Sequence, residues 1–563
     1  MGRAKKLCEG LFIFILFSFQ AFGQGYVLNM YHFNLQYVAG SEKAMRAGVE
    51  KSLEPLLDFY LAHPDWKASF EMQAEYIEYL AENYPKVLAK LKKLAREGQA
   101  EMVSFHYSDQ LILGFPRLDQ KRSLRLTKEV FEQYDIPLSR VIFTQEAQFG
   151  EGVCALGKDW GYEVAVITTN QYDWFQDDPG IPYFDCRGLK VLKAENPDMP
   201  LEKIKSEEYS GLRVKWYFLG DGEIVVTGGI SPYFSFLFKP RDTIIKRMGA
   251  DFKKLEQEGY KIATVSEYVE ALKQNNIQPR PLKPILDAPW RPEDDQGVWT
   301  WMGKYVSPWE DDYGVRTENW RARSWLISAE RAGISWEQLR TVWKHQLDAE
   351  VSDSTGWFPF KVEINYSKEK SQEVIEEVQR LCPECQAEDK SLELAEKFER
   401  ISEDDFPVGV KVLGATNLAQ KFYRVQGIDG LYALEISFKA GRDARVSFPF
   451  TGSKIIYSPA MLEAELVKID LSQIKPPLHY VGLPNGLIGL DEGLWLIRDN
   501  RAGMVASGID PENKEVHFRV KGARGRDFFF RFYILQGPDE PALRFANQLN
   551  QTDGDKVWTM TSH

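Results

Sequence analysis

Apolar residues change their period from place to place along this chain. Residues 26–33, Tyr-Val-Leu-Asn-Met-Tyr-His-Phe, are almost continuously apolar, as a strand buried on both faces should be. Over 42–61 the apolar positions Met45, Val49, Leu53, Leu56 and Leu57 recur at helical spacing. Residues 68–72 read as a second strand, 76–95 as an amphipathic helix closed by Gly98, and 101–105 as a third strand ending at His106. A helix over 121–134 precedes two more apolar strands, 140–143 and 163–168, and 265–269 belong to a final helix. This alternation predicts a parallel α/β barrel over 24–275.

Beyond it the texture changes twice. Residues 275–295 are rich in Pro and Asp and read as a linker, and 317–347, 372–381 and 392–401 have helical periodicity. The expected second unit is therefore a linker and helical module over 276–402. After about residue 405 short β-like runs recur, such as 431–438 and 528–535, separated by turn signals such as Pro484-Asn485-Gly486. That pattern predicts a β-sandwich over 403–563. The fold class is α/β plus all-β.

The basic start (Arg3, Lys5, Lys6), the apolar stretch 11–19 and the small-residue site Ala21-Phe22-Gly23 predict a signal peptide over 1–23, cleaved before Gln24. The mature chain is then expected to be periplasmic or secreted, with no membrane span. A formal net charge of −12 argues against nucleic acid as a partner. Four cysteines remain after such cleavage. Cys382-Pro383-Glu384-Cys385 lacks a second ligand pair for zinc, so a local disulfide is expected in an oxidising compartment. Cys154 and Cys186 are a second possible pair.

The chemistry centres on Thr144-Gln145-Glu146-Ala147-Gln148-Phe149-Gly150, directly after the 140–143 strand. A carboxylate at the C-terminal end of a barrel strand stands where such folds carry out their reactions, so Glu146 is the leading catalytic candidate. His32 and His106 end two other predicted strands and would crown the same face. Asn34 and Gln36 have donors and acceptors suited to vicinal hydroxyls. Trp299, Trp301, Trp309 and Trp357 could stack on sugar rings or fill cores.

These segments resemble glycoside hydrolase family 57 and, more distantly, the family 38 α-mannosidases. The resemblance rests on His32-Phe33-Asn34-Leu35-Gln36, on Gly98-Gln99-Ala100-Glu101 leading to His106-Tyr107-Ser108-Asp109, on Glu146, and on Val351-Ser352-Asp353-Ser354-Thr355-Gly356-Trp357. It implies an incomplete seven-stranded (β/α) barrel, a helical module and C-terminal β-sandwich material. It also implies a retaining mechanism on an α-linked oligo- or polysaccharide, with Glu146 as nucleophile and no cofactor. His32, Asn34, Gln36, His106, Asp109, Trp301, Asp353 and Trp357 become candidate substrate-binding residues.

The second catalytic carboxyl is less plain. Leu219-Gly220-Asp221-Gly222-Glu223 matches part of the family's Asp-Gly-Glu segment and nominates Asp221. The same residues can form a hairpin turn between strands 213–219 and 224–227, in which case the acid would come from Asp311, Asp312 or Asp353, or be absent. Family 38 enzymes bind zinc through His-x-Asp; Asn34 at the third position disfavours a metal here. A non-catalytic carbohydrate-binding protein on the same scaffold is the alternative reading.

Overall fold

In the computed structural model of the chain, residues 24–35, 39–175, 182–195, 205–235, 242–283, 285–290, 301–303, 311–356, 359–387, 390–473, 482–522 and 524–552 are described. The expected signal peptide, Gln36 and Trp357 lie outside these residues, as do Trp299 and Trp309. The strands of the first region are β1 (Gly25–Phe33), β2 (Ala68–Met72), β3 (Ala100–Val103), β4 (Val141–Ile142), β5 (Val164–Thr168), β6 (Tyr183–Cys186), β7 (Leu189–Ala194), β8 (Glu207–Tyr209), β9 (Leu212–Asp221), β10 (Tyr260–Ala263) and β11 (Arg280–Pro281).

β1 is buried throughout because it is central. β9 runs parallel along one edge, while β10 and then β2 pair with the other. Side-chain alternation sorts its residues. Tyr26, Leu28 and Met30 join Val103, Val141, Val166, Val214 and Trp216 in an interior cluster, and Val27, Tyr31 and Phe33 pack outward. The strands form two sheets, β3-β2-β1-β9-β8 with β10 beside β1, and β11-β6-β7-β5-β4. Both sheets contribute to the interior cluster, and a parallel bridge from Met102 to Leu138 joins them. The strands of the expected incomplete barrel are thus hydrogen-bonded as two mostly parallel sheets. β4 is only two residues long, too short to carry a full ladder to β3.

Three local expectations change. Pro85 splits the 76–95 helix into Ala74–Asn83 and Pro85–Arg96, because proline has no N–H to continue the ladder. Residues 398–401 form a strand, not helix, since Phe398–Ile401 pairs antiparallel with Phe422–Val425. No hairpin forms at Asp221: β9 continues parallel to β1 as far as Asp221, and Gly222–Val225 turns helical. Only glycine fits that corner, for a Cβ on Gly222 would lie 2.6 Å from the Phe33 ring.

The helical module packs Val315–Arg331, Trp336–Ala349 and Lys361–Leu381 around buried Leu326, Leu339 and Trp343. Between the last two helices the 3₁₀ turn Ser352–Thr355 reaches the mouth of the strand region. Asp119 and Arg323 form a buried ion pair between the module and the helix Arg117–Gln133, with Arg323 Nε 2.6 Å from Asp119 Oδ2.

The C-terminal region is antiparallel. The expected sandwich is hydrogen-bonded as one ten-stranded array, because the long strand Leu431–Pro449 pairs first with Asp527–Gln536 and then with Glu515–Lys521. Its Phe-rich core includes Phe438, Phe448, Phe518, Phe530 and Phe532. A helix not foreseen in the sequence, Asp539–Leu549, covers a second apolar cluster. Both cysteine pairs are bridged, with Cα atoms 5.9 Å apart for Cys154–Cys186 and 5.3 Å for Cys382–Cys385. Among the described residues no helix is long and apolar enough to cross a membrane.

Candidate active site

The alternation that sends Tyr26, Leu28 and Met30 inward makes His32 the next interior-facing side chain, at the C-terminal end of β1. Register then sets two carboxylates beside it, Glu71 on β2 and Asp221 on β9. Adjacent strands lie about 5 Å apart, so these three residues share one end of the interior. His32 Nδ1 is bonded to Glu71 Oε2, and both side chains are buried.

Glu146 joins them from the loop after β4. Its backbone is left-handed at φ 55° and ψ 23°, and Ala147 follows at φ 47°. Two such non-glycine residues in succession cost on the order of 1–2 kcal/mol each, and the loop is held by many hydrogen bonds. Ala147 N donates to Thr144 O at 2.9 Å, and Trp290 N donates to Glu146 O at 2.6 Å. The Gln148 amide spans the loop, giving its Nε2 to Gln145 O and Gln110 O, each at 3.0 Å, and accepting Leu113 N. Gln171 Nε2 donates to Ala147 O at 2.9 Å and to Ala288 O at 2.8 Å. The Glu146 side chain is partly exposed, and its Oε1 accepts from Gln145 Nε2 at 3.1 Å.

The helical module closes the other side. Ser352 Oγ lies 3.4 Å from Glu146 Oε1, and Asp353 Oδ2 accepts Asn34 Nδ2 at 2.5 Å. Asn34 N donates to Glu223 Oε1, which ties the end of β1 to the corner after β9. A π-type turn, Val49–Leu53, brings Ser52 Oγ to Gly222 O at 2.5 Å and fixes that corner from behind.

Six carboxylates therefore crowd one cationic imidazole. Burial opposes charge on His32, but Glu71 above all, with Asp109 and Glu223, raises its pKa well above the ordinary value. Burial raises Glu71 too, against the pull of His32. Glu146 is raised well above the usual carboxylate value by burial and by repulsion from Asp353 and Asp221, with His32 and the Ser352 hydroxyl pulling the other way. Asp353 is raised to about 6, first by burial, with Asn34 opposing and Asp221 adding repulsion. Glu223 and Asp109 are likewise lifted, chiefly by burial.

The other sequence candidates separate into layers. His106 and Asp109 are fully buried and face protein groups, so they stand behind the cleft rather than in it. His106 Nε2 accepts Gln145 N at 3.2 Å, and burial beside cationic His32 pushes its pKa down to about 3, leaving the ring neutral. Gln73 Nε2 donates to Asp109 Oδ1 at 2.5 Å. Trp301 is not a sugar platform: it is 2% exposed and packs with Trp320, Phe115 and Met302, because Gly356 leaves room for its ring. Asp311 is paired with Arg526 of the C-terminal region. Glu101, part of the family-like Gly98–Glu101 segment, lies at the opposite end of the sheet and accepts Ser69 Oγ at 2.7 Å and a Ser266 hydroxyl.

Glu71, Glu223, Ser352 and Gln148 were not singled out in the sequence. Glu71 had one readable signal, a carboxylate inside the apolar run 68–72. A zinc of the family 38 kind does not fit the donors present. Asn34 turns its amide nitrogen to Asp353, and His32 Nδ1 is spent on Glu71. Among the described residues no three His, Cys, Asp or Glu side chains converge as a metal site.

No protein-family profile matches the chain. An α-mannosidase from Enterococcus faecalis superposes with a TM-score of 0.62 at 9% identity, covering 94% of this chain and 89% of that one. The two share a fold. A family 57 branching enzyme from Pyrococcus horikoshii is also similar, with a TM-score of 0.45 and 13% identity over 64% of this chain and 90% of that one. In sequence, α-amylase 1 of Dictyoglomus thermophilum is 26% identical over 102 residues, which is 18% of this chain and spans only 15% of the amylase. The likeness to the α-mannosidase is one of fold, and that to the α-amylase is confined to a short stretch of sequence.

Proposed function

We propose that this protein is an exported glycoside hydrolase that cleaves an α-linked oligo- or polysaccharide with retention. The carrying observation is Glu146, held on a left-handed kink at a strand end, in the electrostatic field of Asp221 and Asp353. In this reading a Glu146 carboxylate oxygen attacks the anomeric carbon while Asp221 gives its proton to the departing glycosidic oxygen. Asp221, now ionised, takes a proton from water, whose oxygen displaces Glu146 and releases the sugar. Repulsion among the three carboxylates suits them to hold one proton between them, as such a pair requires. Asn34, Asp353 and His32 offer hydrogen-bonding groups for ring hydroxyls. The two disulfides support an oxidising compartment and hence export.

The test is hydrolysis of a panel of α- and β-linked glycans by the wild type and by Glu146→Gln. Activity on an α-linked glycan that falls by on the order of 10⁴-fold in the variant is expected. A wild type that binds a glycan but cleaves none would replace this reading with that of a binding protein.

A further inference from the structure

Two exposed aromatic side chains, Phe234 and Phe360, come from segments that are joined through Tyr233. Phe234 is 52% exposed and Phe360 is 44% exposed. The Phe360 ring packs on Tyr233, with centroids 4.3 Å apart and planes at 45°. Tyr233 and Phe234 lie on the short helix Pro232–Ser235, which follows the corner after β9. Phe360 precedes the helix Lys361–Leu381, just after the turn that carries Asp353.

The cluster is built, not incidental. Buried Glu363 ties its halves together, accepting Tyr233 Oη at 3.0 Å through one oxygen and Phe360 N at 2.5 Å through the other. Gly40, after the end of β1, admits the first turn of the same helix, since a Cβ there would lie 2.6 Å from Val362. The segments after β1, after β9 and after Asp353 therefore converge at this rim. They are the segments that supply Asn34, Asp221 and Asp353 to the cleft. Glu363 also senses the charge of Asp353, which marks the rim as continuous with the acidic floor.

We propose that Phe360 and Phe234 form a sugar-stacking subsite that receives a pyranose ring of an α-linked hexose chain, away from the bond cleaved at Glu146. A hexopyranose offers an apolar C–H face to an aromatic ring and hydroxyls at its edge, so it matches an aromatic rim leading to carboxylates and amides. A chain long enough to reach from the floor to the rim touches both, and a single sugar does not. This inference rests on the glycan reading of the same cleft, and it makes chains of several sugars the tighter-binding substrates.

The test uses Phe360→Ala, Phe234→Ala and Phe360→Tyr, each made in the wild type and in Glu146→Gln. Maltohexaose and α-linked mannohexaose are titrated calorimetrically into the Glu146→Gln series, and hydrolysis is followed in the wild-type series. Each alanine variant is expected to weaken binding of the preferred hexasaccharide about tenfold, with Phe360→Tyr near normal. Activity on a 4-nitrophenyl α-glycoside of the same sugar, too short to reach the rim, should fall far less than hexasaccharide binding does. Equal hexasaccharide binding with and without the two rings overturns the subsite, as does binding of neither hexasaccharide by the parent. Binding that is lost with the rings in a wild type that hydrolyses nothing retains the subsite and rejects the hydrolase reading, so the two failures are distinguishable.

Discussion

Replacing Asp353 by Asn removes one charge from the cleft and little else. The side chain keeps its shape, and its carbonyl oxygen can still accept Asn34 Nδ2, the bond now made at 2.5 Å. Asp353 is the first neighbouring charge that lifts Glu146. Ser352, the adjacent residue, has its hydroxyl 3.4 Å from Glu146 Oε1, which puts the two residues side by side at the cleft. Each pKa unit that a neighbouring charge adds corresponds to about 1.4 kcal/mol of repulsion, so the displacement of the acidic limb of the pH profile reads the coupling directly. The sign follows from the chemistry. Glu146 must be ionised to attack, so kcat/KM rises as pH rises through its pKa. Removing a like charge favours the ionised form, and the acidic limb should move to lower pH. The assay is a pH profile of kcat/KM with an aryl α-glycoside, whose good leaving group needs little help from an acid. An acidic limb that stays in place or moves upward refutes the electrostatic argument. Complete loss of activity on that substrate would give Asp353 a direct part in the chemistry and refute the assignment of Glu146 and Asp221 as the reacting pair.

Glu146→Gln should stabilise the fold at pH 8 and leave it nearly unchanged at pH 4. A carboxyl raised above 4.5 in the fold is destabilising once pH exceeds that value, so the gain is read as a higher Tm at the upper pH only. Arg323→Met leaves Asp119 charged and buried, as Asp119 is only 1% exposed, so unfolding in urea should show a loss of about 3–5 kcal/mol. Replacing both Cys154 and Cys186 by Ala opens a loop with a sequence separation of 32 residues; loop entropy predicts a loss of about 3–4 kcal/mol by the same measurement. A loss under about 1 kcal/mol would mean that the bridge does not constrain the unfolded chain in this way.

Much of the architecture was legible because it depends on local pattern. The strand over 26–33, the change to β-strands after 405 and the place of Glu146 at a strand end all follow from periodicity and from Gly and Pro punctuation. What stayed ambiguous was whatever depended on a partner far away in sequence. Asp221 could be read as a hairpin turn or a strand end, and only pairing of β9 with β1 puts it in register with His32. Trp301 and an aromatic platform look alike in sequence; burial against Trp320 and Phe115 separates them.

The sequence by itself determined which segments become strands and helices, because backbone propensity and side-chain alternation act over a few residues. It also determined that a carboxylate would follow the fourth strand. The tertiary structure alone decided the company that carboxylate keeps. Asp221 and Asp353 come from two separate segments, and their repulsion of Glu146 exists only once long-range packing has brought them to one end of the interior. Local pattern specifies a charge; its pKa, and so its chemistry, is a property of the assembled site.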